Sequence, residues 1–190
     1  MPFVTAIYAR DLEIDRYYNG YLKHPYISLY GGRGCRARCT YCLWPQTIGK
    51  GVYRVRSAAN IGEEMVQAKS LFPQVKEFFF DDDTFTDHPE IEEIARYMGR
   101  LGITWSCNAR ANVPFSTLKV MKENGLRLLT VGFESGNQKV LNNMRKGLTL
   151  DGAKSFARNA KALGILLHGA FILGLPGETK ETIEETRRFA

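Results

Sequence analysis

No apolar stretch in this 190-residue chain is long enough to cross a bilayer. The nearest, Leu163 to Leu175, carries His168 and falls well short of the ~20 residues that a spanning helix needs. The opening residues, Met1-Pro2-Phe3-Val4-Thr5-Ala6, lack the basic stretch and apolar run of an export signal. Both absences set the expectation of a cytoplasmic protein. Charge of one sign is also scarce: 26 Lys and Arg against 20 Asp and Glu give a formal +6. The basic residues are scattered among acids instead of gathered in a patch, which gives a nucleic-acid partner little support. There is no low-complexity tract and no repeated sequence. With 44% hydrophobic residues and 12% aromatics the composition is that of a globular protein, not a disordered one. A chain of this length buries roughly 70% of its unfolded surface in one core, so one domain is expected.

From residue 26 onward, short β-rich runs alternate with amphipathic segments, the pattern of βα units around a parallel sheet. The spacing predicts strands at Tyr26–Tyr30, Glu77–Phe80, Thr104–Cys107, Leu128–Phe133 and Leu166–Leu173. Ser57 is placed to cap a helix running to Leu71, with Ile61, Met65, Val66 and Ala68 as its buried face. Pro89 and Pro114 open two more, the second stopping at Asn124-Gly125. Gln138–Met144 and Leu150–Leu163 supply a further pair. Five such units are fewer than the eight of a complete barrel. The last helix, opening near Thr179, runs into Ala190 without a stop signal, so a fragment cut inside its fifth unit is expected. Residues 1–26, polar and irregular, read as a lead-in from a missing upstream domain, and 27–190 as an incomplete core.

Cysteine is sparse, and its placement carries the strongest signal. Three of the four cysteines fall in Gly31-Gly32-Arg33-Gly34-Cys35-Arg36-Ala37-Arg38-Cys39-Thr40-Tyr41-Cys42, directly after the first strand, and Cys107 stands alone. In a reduced compartment, clustered thiols hold metal or do chemistry more often than they pair. Three thiolates on a glycine-rich loop suit an iron-sulfur cubane, which takes four protein ligands when fully coordinated, so three leave one iron open to a substrate or cofactor. Arg33, Arg36 and Arg38 favour thiolate over thiol and offset the negative cluster. Two other readings stand beside this one: a zinc site completed by His24, His88, His168 or Cys107, and plain burial.

The loop, with an aromatic just before its third cysteine, resembles the signature of the radical S-adenosylmethionine (SAM) superfamily. The resemblance implies a TIM-like barrel, a 4Fe-4S cluster on Cys35, Cys39 and Cys42, and SAM chelated to the open iron. One electron, delivered by a flavodoxin- or ferredoxin-type donor, then cleaves SAM to a 5'-deoxyadenosyl radical that abstracts hydrogen from a substrate. Tyr41 would lie beside the adenine.

Chemistry in parallel-strand barrels gathers at the carboxyl ends of the strands. After the second strand come Asp81, Asp82 and Asp83, three adjacent acids that either stay wet or meet a cation. The resemblance makes this the contact to the SAM ammonium, through Asp83 first and Asp82 second, although the family usually has Gly-Gly-Glu here. A capping or solvated role is the alternative. Asn108 and Arg110 follow the third strand, Glu134 and Ser135 the fourth. Glu134 and Ser135 offer an acceptor and a donor for ribose hydroxyls, and Arg110 suits a carboxylate; each residue alone equally fits a surface ion pair or a cap. Gly174-Leu175-Pro176-Gly177-Glu178-Thr179 lacks the Gly-Lys-Ser/Thr ending of a phosphate loop, which leaves ATP hydrolysis unsupported. It resembles the family turn whose backbone, at Gly174, packs by the adenine, and reads equally as a tight turn before a helix.

Cys42-Leu43-Trp44-Pro45-Gln46, Asp81 to Thr86, Trp105 to Asn112 and Gly169 to Thr179 narrow the resemblance to the cobalamin-binding-domain class, and within it to proteins of hopanoid biosynthesis. That implies a small-molecule or lipid substrate, a bacteriohopanepolyol side chain, and peripheral membrane association. Cobalamin would bind through a domain outside these residues. A tRNA-modifying radical SAM enzyme and a non-catalytic iron-sulfur module are the competing readings. Cys107 reads as a small buried apolar residue.

Overall fold

Four consecutive strand-helix-strand crossovers set the frame. The computed structural model describes residues 3–47 and 51–190, so Met1 and Pro2 of the expected lead-in lie outside the described residues. Strands β1 (Tyr26–Leu29), β4 (Glu77–Phe80), β5 (Trp105–Ala109), β6 (Leu126–Glu134) and β7 (Leu166–Phe171) form one sheet in the order β1-β4-β5-β6-β7. Every pair is parallel, and each strand lies beside the one before it in the sheet. A parallel neighbour requires a crossover. It is supplied by α3 (Ala58–Leu71), α4 (Ile91–Arg100), α5 (Phe115–Glu123) and the pair α6 (Gln138–Asn143) and α7 (Leu150–Ala162); α8 (Lys180–Phe189) follows β7.

The register explains the core. Ile27, Phe78, Trp105 and Leu126 form one cross-strand row, and Leu29, Phe80, Cys107 and Leu129 another. Both rows belong to the main apolar cluster with Ile61 and Met65 of α3, Ile94 and Met98 of α4, Leu118 of α5 and Phe156 of α7. Cys107 is fully buried there, as its apolar reading required. The opposite face turns polar towards the carboxyl ends, where Asn108, Thr130 and His168 share a row. Ser57 caps α3, its hydroxyl accepting from the Asn60 amide at 3.3 Å. Val66 departs from expectation: it is exposed, because it sits about 100° around the helix from buried Met65.

The lead-in is more ordered than its composition suggests. It holds α1 (Thr5–Asp11) and a single 3-10 turn, Ile14–Arg16. Buried Glu64 of α3 accepts from the amides of Val4 and Thr5 at 3.0 and 3.4 Å, binding the start of α1 to α3. At the amino end of the sheet, buried Glu77 takes two hydrogen bonds from Arg127 at 2.9 and 2.8 Å and one from the Lys23 amide at 2.6 Å. A second, two-stranded sheet pairs β2 (Gly32–Arg33) with β3 (Arg54–Val55), antiparallel. It forms a base from which the cysteine loop, including the short helix α2 (Trp44–Thr47), projects. Among the described residues no helix is long and apolar enough to cross a membrane.

Candidate active site

The carboxyl ends of β4, β5 and β6 and the cysteine loop enclose a cavity of about 220 Å³. Seven of the ten expected site residues line it: Cys35, Cys39, Cys42, Tyr41, Asp83, Arg110 and Glu134. Cys35 and Cys39 are buried and Cys42 partly so. The Ala37 amide and the Thr84 hydroxyl both donate to the Cys35 sulfur, at 3.4 and 3.8 Å. Burial pushes the Cys42 thiol up; a backbone hydrogen bond at Trp44 offsets part of this, and Cys39, Cys35 and Asp83 push it further. The arginines expected to favour thiolate do not reverse that balance at Cys42. Arg33 instead stacks over the Tyr30 ring, 4.5 Å from its centroid, and Arg36 and Arg38 are exposed. Among the described residues no three His, Cys, Asp or Glu side chains converge as ligands of a metal ion. Cubane ligands need not converge on one point, since each thiolate takes a separate iron.

The acid triplet divides its work. Asp82 is buried and turns back into the fold, accepting from the Gly31 amide at 2.8 Å and the Tyr53 hydroxyl at 3.0 Å. Burial raises its carboxyl to about 6, against the pull of those hydrogen bonds. Its side chain thus ties the end of β4 to both ends of the cysteine loop. Asp81 accepts from Tyr30 and, at 3.4 Å, from Asn108. Asp83 is exposed and lines the thiol cavity as well as an adjoining one of about 330 Å³ bounded by Tyr30, Arg33, Gly34 and Trp44. Partial burial raises its carboxyl, Asp81 adds to this, and Arg33 lowers it.

At the end of β6 the backbone irregularity between Gly132 and Glu134 puts Glu134 at φ +67°, a region that a residue with a side chain enters at a cost. There its Oε1 accepts from the Tyr41 hydroxyl at 2.8 Å and from Lys146 Nζ at 2.7 Å, and Lys146 Nζ lies 3.2 Å from the Tyr41 hydroxyl. Burial first, then Glu134, pushes the Tyr41 phenol far above its ordinary range. A Cβ on Gly132 would stand 2.2 Å from Glu134 Oε1, so only glycine leaves room for this cluster. Lys146 is a site residue that the sequence reading missed. Its signal was faint: it lies between Arg145 at φ +54° and Gly147 at φ +65°, a turn that only Gly147 announces.

Three expected residues lie outside this cavity's lining: Asp82, already described, Ser135 and Gly174. Ser135 is buried against α8, its hydroxyl 3.2 Å from that of Thr186. Gly174, at φ +85°, opens a turn whose amides at Gly174 and Leu175 meet the Glu178 carboxylate, and Leu175 packs on Val140, Leu141 and Met144. Cys107 lies in the core row behind the site, its thiol pushed up by burial.

The model of the Radical SAM superfamily matches residues 29–190. This chain belongs to that superfamily. It is 32% identical over 165 residues to cytidylyl-2-hydroxyethylphosphonate methyltransferase of Streptomyces wedmorensis, covering 83% of this chain and 30% of that protein. It is 27% identical over 168 residues to bacteriochlorophyllide d C-12(1)-methyltransferase of Chlorobaculum tepidum, covering 86% and 37%. The chain thus spans about a third of the length of these relatives. Among solved structures, the radical SAM methyltransferase TsrM of Kitasatospora setae superposes with a TM-score of 0.75 at 21% identity, over 86% of this chain and 33% of that one. The cobalamin-dependent radical SAM enzyme OxsB gives 0.71 at 22%, over 85% and 26%. These two show a shared fold, of which the five parallel strands are part. Membership makes the chain part of an enzyme family whose cofactors are a 4Fe-4S cluster and SAM. The donor set fits such a cluster: three soft sulfurs on one cavity wall, with an N–H and an O–H already directed at one of them.

Proposed function

We propose that residues 27–190 form the SAM-cleaving core of a radical enzyme acting on a small organic substrate. The observation that supports this reading is the sharing of one cavity by Cys35, Cys39 and Cys42 with Asp83, Arg110 and Glu134, an anion, a cation and a second anion contributed by three different strand ends. When bound, the cluster with SAM on its open iron supplies the one-electron cleavage of the sulfonium and, from it, the radical that abstracts hydrogen. The chain's own residues hold and orient. In this reading Cys35, Cys39 and Cys42 ligate the cluster and Asp83 receives the SAM ammonium, with Asp82 keeping the loop in place behind it. Arg110 pairs with the carboxylate. Glu134 receives ribose hydroxyls, Ser135 steadies the turn after it, and Tyr41 and the Gly174 turn flank the adenine. Exposed Arg36 and Arg38 give the loop a positive charge that suits an acidic flavodoxin or ferredoxin as electron donor.

The hopanoid side chain as substrate, and with it a peripheral membrane association, rests on the resemblance of the sequence. Methyl transfer with cobalamin bound outside these residues is a second reading, supported by the methyltransferase names of the relatives. The test is anaerobic reconstitution of the full-length protein with iron and sulfide, reduction with dithionite, and addition of SAM. Formation of 5'-deoxyadenosine and methionine is the expected result; a loaded cluster that never cleaves SAM refutes the proposal. Adding cobalamin and a bacteriohopanepolyol, then weighing the product, separates side-chain remodelling from methylation.

A further inference from the structure

We infer that Lys146 is a positioning residue for SAM: its ammonium holds the Glu134 carboxylate turned so that one oxygen is fixed and the other is left for the ribose. The inference rests on the reading of Glu134 given above and goes beyond it. Lys146 is 8% exposed and Glu134 6%, so neither charge is hydrated well enough to stand alone. They lie 2.7 Å apart, and the hydrogen bonds from Lys146 and Tyr41 both fall on Oε1. Two donors on one oxygen fix the carboxylate plane and leave Oε2 as the acceptor for a ligand.

The backbone is shaped for this task. Left-handed residues on both sides of Lys146 turn its side chain inwards, and the Arg110 guanidinium holds its carbonyl at 2.7 Å. On the cysteine loop, the Thr40 amide donates to the Met144 carbonyl at 2.9 Å, so the turn carrying Lys146 is docked on the segment carrying Tyr41. Lys146 is therefore placed to act through Glu134 and Tyr41 without occupying the thiol positions. Its loss leaves the cluster ligands in place and takes from Glu134 Oε1 one of its two donors, so that the carboxylate is free to turn.

The experiment uses the full-length, anaerobically reconstituted protein as wild type, Lys146→Met and Lys146→Arg. Iron and sulfide content and the electron paramagnetic resonance spectrum of the reduced cluster are recorded first, then SAM is titrated and the change in that spectrum followed. The expected result is a Lys146→Met protein with a full cluster and an unaltered SAM-free spectrum whose SAM dissociation constant rises roughly ten- to a hundredfold, the loss of one hydrogen bond to a charged group. In turnover, KM for SAM rises by the same factor while kcat moves much less. Lys146→Arg restores binding to within a few-fold. Wild-type SAM affinity in Lys146→Met overturns the inference, and so does loss of the cluster in both variants, which makes Lys146 part of the scaffold. If Lys146→Met does not fold, Lys146→Arg decides: binding close to wild type supports the inference and binding as weak as in a Glu134→Gln variant overturns it. Failure of the wild type itself to bind SAM at its cluster removes the functional reading and is told apart by that control.

Discussion

Asp82 gives the sharpest test of the site's construction, because its carboxylate is buried and its two hydrogen bonds hold the start and the end of the cysteine loop. Its folded carboxyl lies at about 6, above the ordinary value of about 4 that it has in the unfolded chain. A group raised on folding contributes stability that is complete below the unfolded value and is lost as pH rises through the folded one. Between about pH 4 and pH 6 the unfolded chain therefore gives up its proton before the native protein does. A difference of this size corresponds to about 3 kcal/mol in all, of which about 2 kcal/mol is lost across that window and the rest within about one pH unit on either side. Asp82→Asn keeps an oxygen to accept from Gly31 or Tyr53 and abolishes the titration. Urea unfolding of both proteins from about pH 3 to pH 7 should show the variant gaining on the wild type by about 3 kcal/mol, with most of the gain complete by about pH 6. A stability difference that stays constant across the window refutes the reasoning, since it makes Asp82 an ordinary hydrated carboxylate.

Three further outcomes are expected. Arg127→Met leaves buried Glu77 with only the Lys23 amide and should cost about 3 kcal/mol in urea unfolding; a loss below about 1 kcal/mol shows that the charge was hydrated. Cys39→Ala should lose the cluster absorbance after anaerobic reconstitution and form no 5'-deoxyadenosine, whereas a fully loaded variant removes Cys39 from the ligand set. Gly132→Ala puts a methyl 2.2 Å from Glu134 Oε1 and 2.9 Å from Lys146 Nζ, so it should weaken SAM binding roughly tenfold or more; unchanged affinity shows that the pair is not needed where it stands.

Elements driven by local chemistry were legible before the structure. The Ser57 cap and the buried run Phe78–Phe80 each encode their state within a few residues and are found where the pattern puts them, and the apolar spacing in α3 holds at Ile61, Met65 and Ala68 but not at Val66. The cysteine motif was equally plain, since three thiols at short spacing on glycines restrict the chemistry whatever the fold. What stayed hidden depends on contacts distant in sequence. The β2–β3 ribbon pairs two residues with two others across the whole cysteine loop, too short for any periodicity. Helix α1 owes its place to Glu64, some sixty residues away. Lys146 reads as one more scattered cation until β6 and the turn after α6 bring it to Glu134. Ser135 lies next to Glu134 in sequence, yet the positive φ at Glu134 sends the two side chains to different places, one to the cavity and one to α8.

The cysteine loop is held from three directions by groups other than its own thiols, and this bears on how the site works. At its base, Gly32 pairs so closely that a Cβ there would lie 2.6 Å from the Arg54 carbonyl, and a Cβ on Gly31 would meet the Phe85 ring at 2.5 Å. Behind it Asp82 binds Gly31 and Tyr53. In front, Thr40 and Tyr41 bind the turn carrying Met144 and Lys146. A loop of this length loses considerable conformational entropy when its ends are joined and its ligands brought together. Here much of that cost is met by folding, through a ribbon, a buried carboxylate and an ion pair. The binding energy of cluster and SAM is then free for holding reactive groups in register instead of ordering the chain. The same argument explains why the clamps come from the ends of β4 and β6, with β5 between them: a site built on strands is held more precisely than one built on loops, and a loop tied to two strand ends can shift relative to Asp83, Arg110 and Glu134 only by giving up those hydrogen bonds.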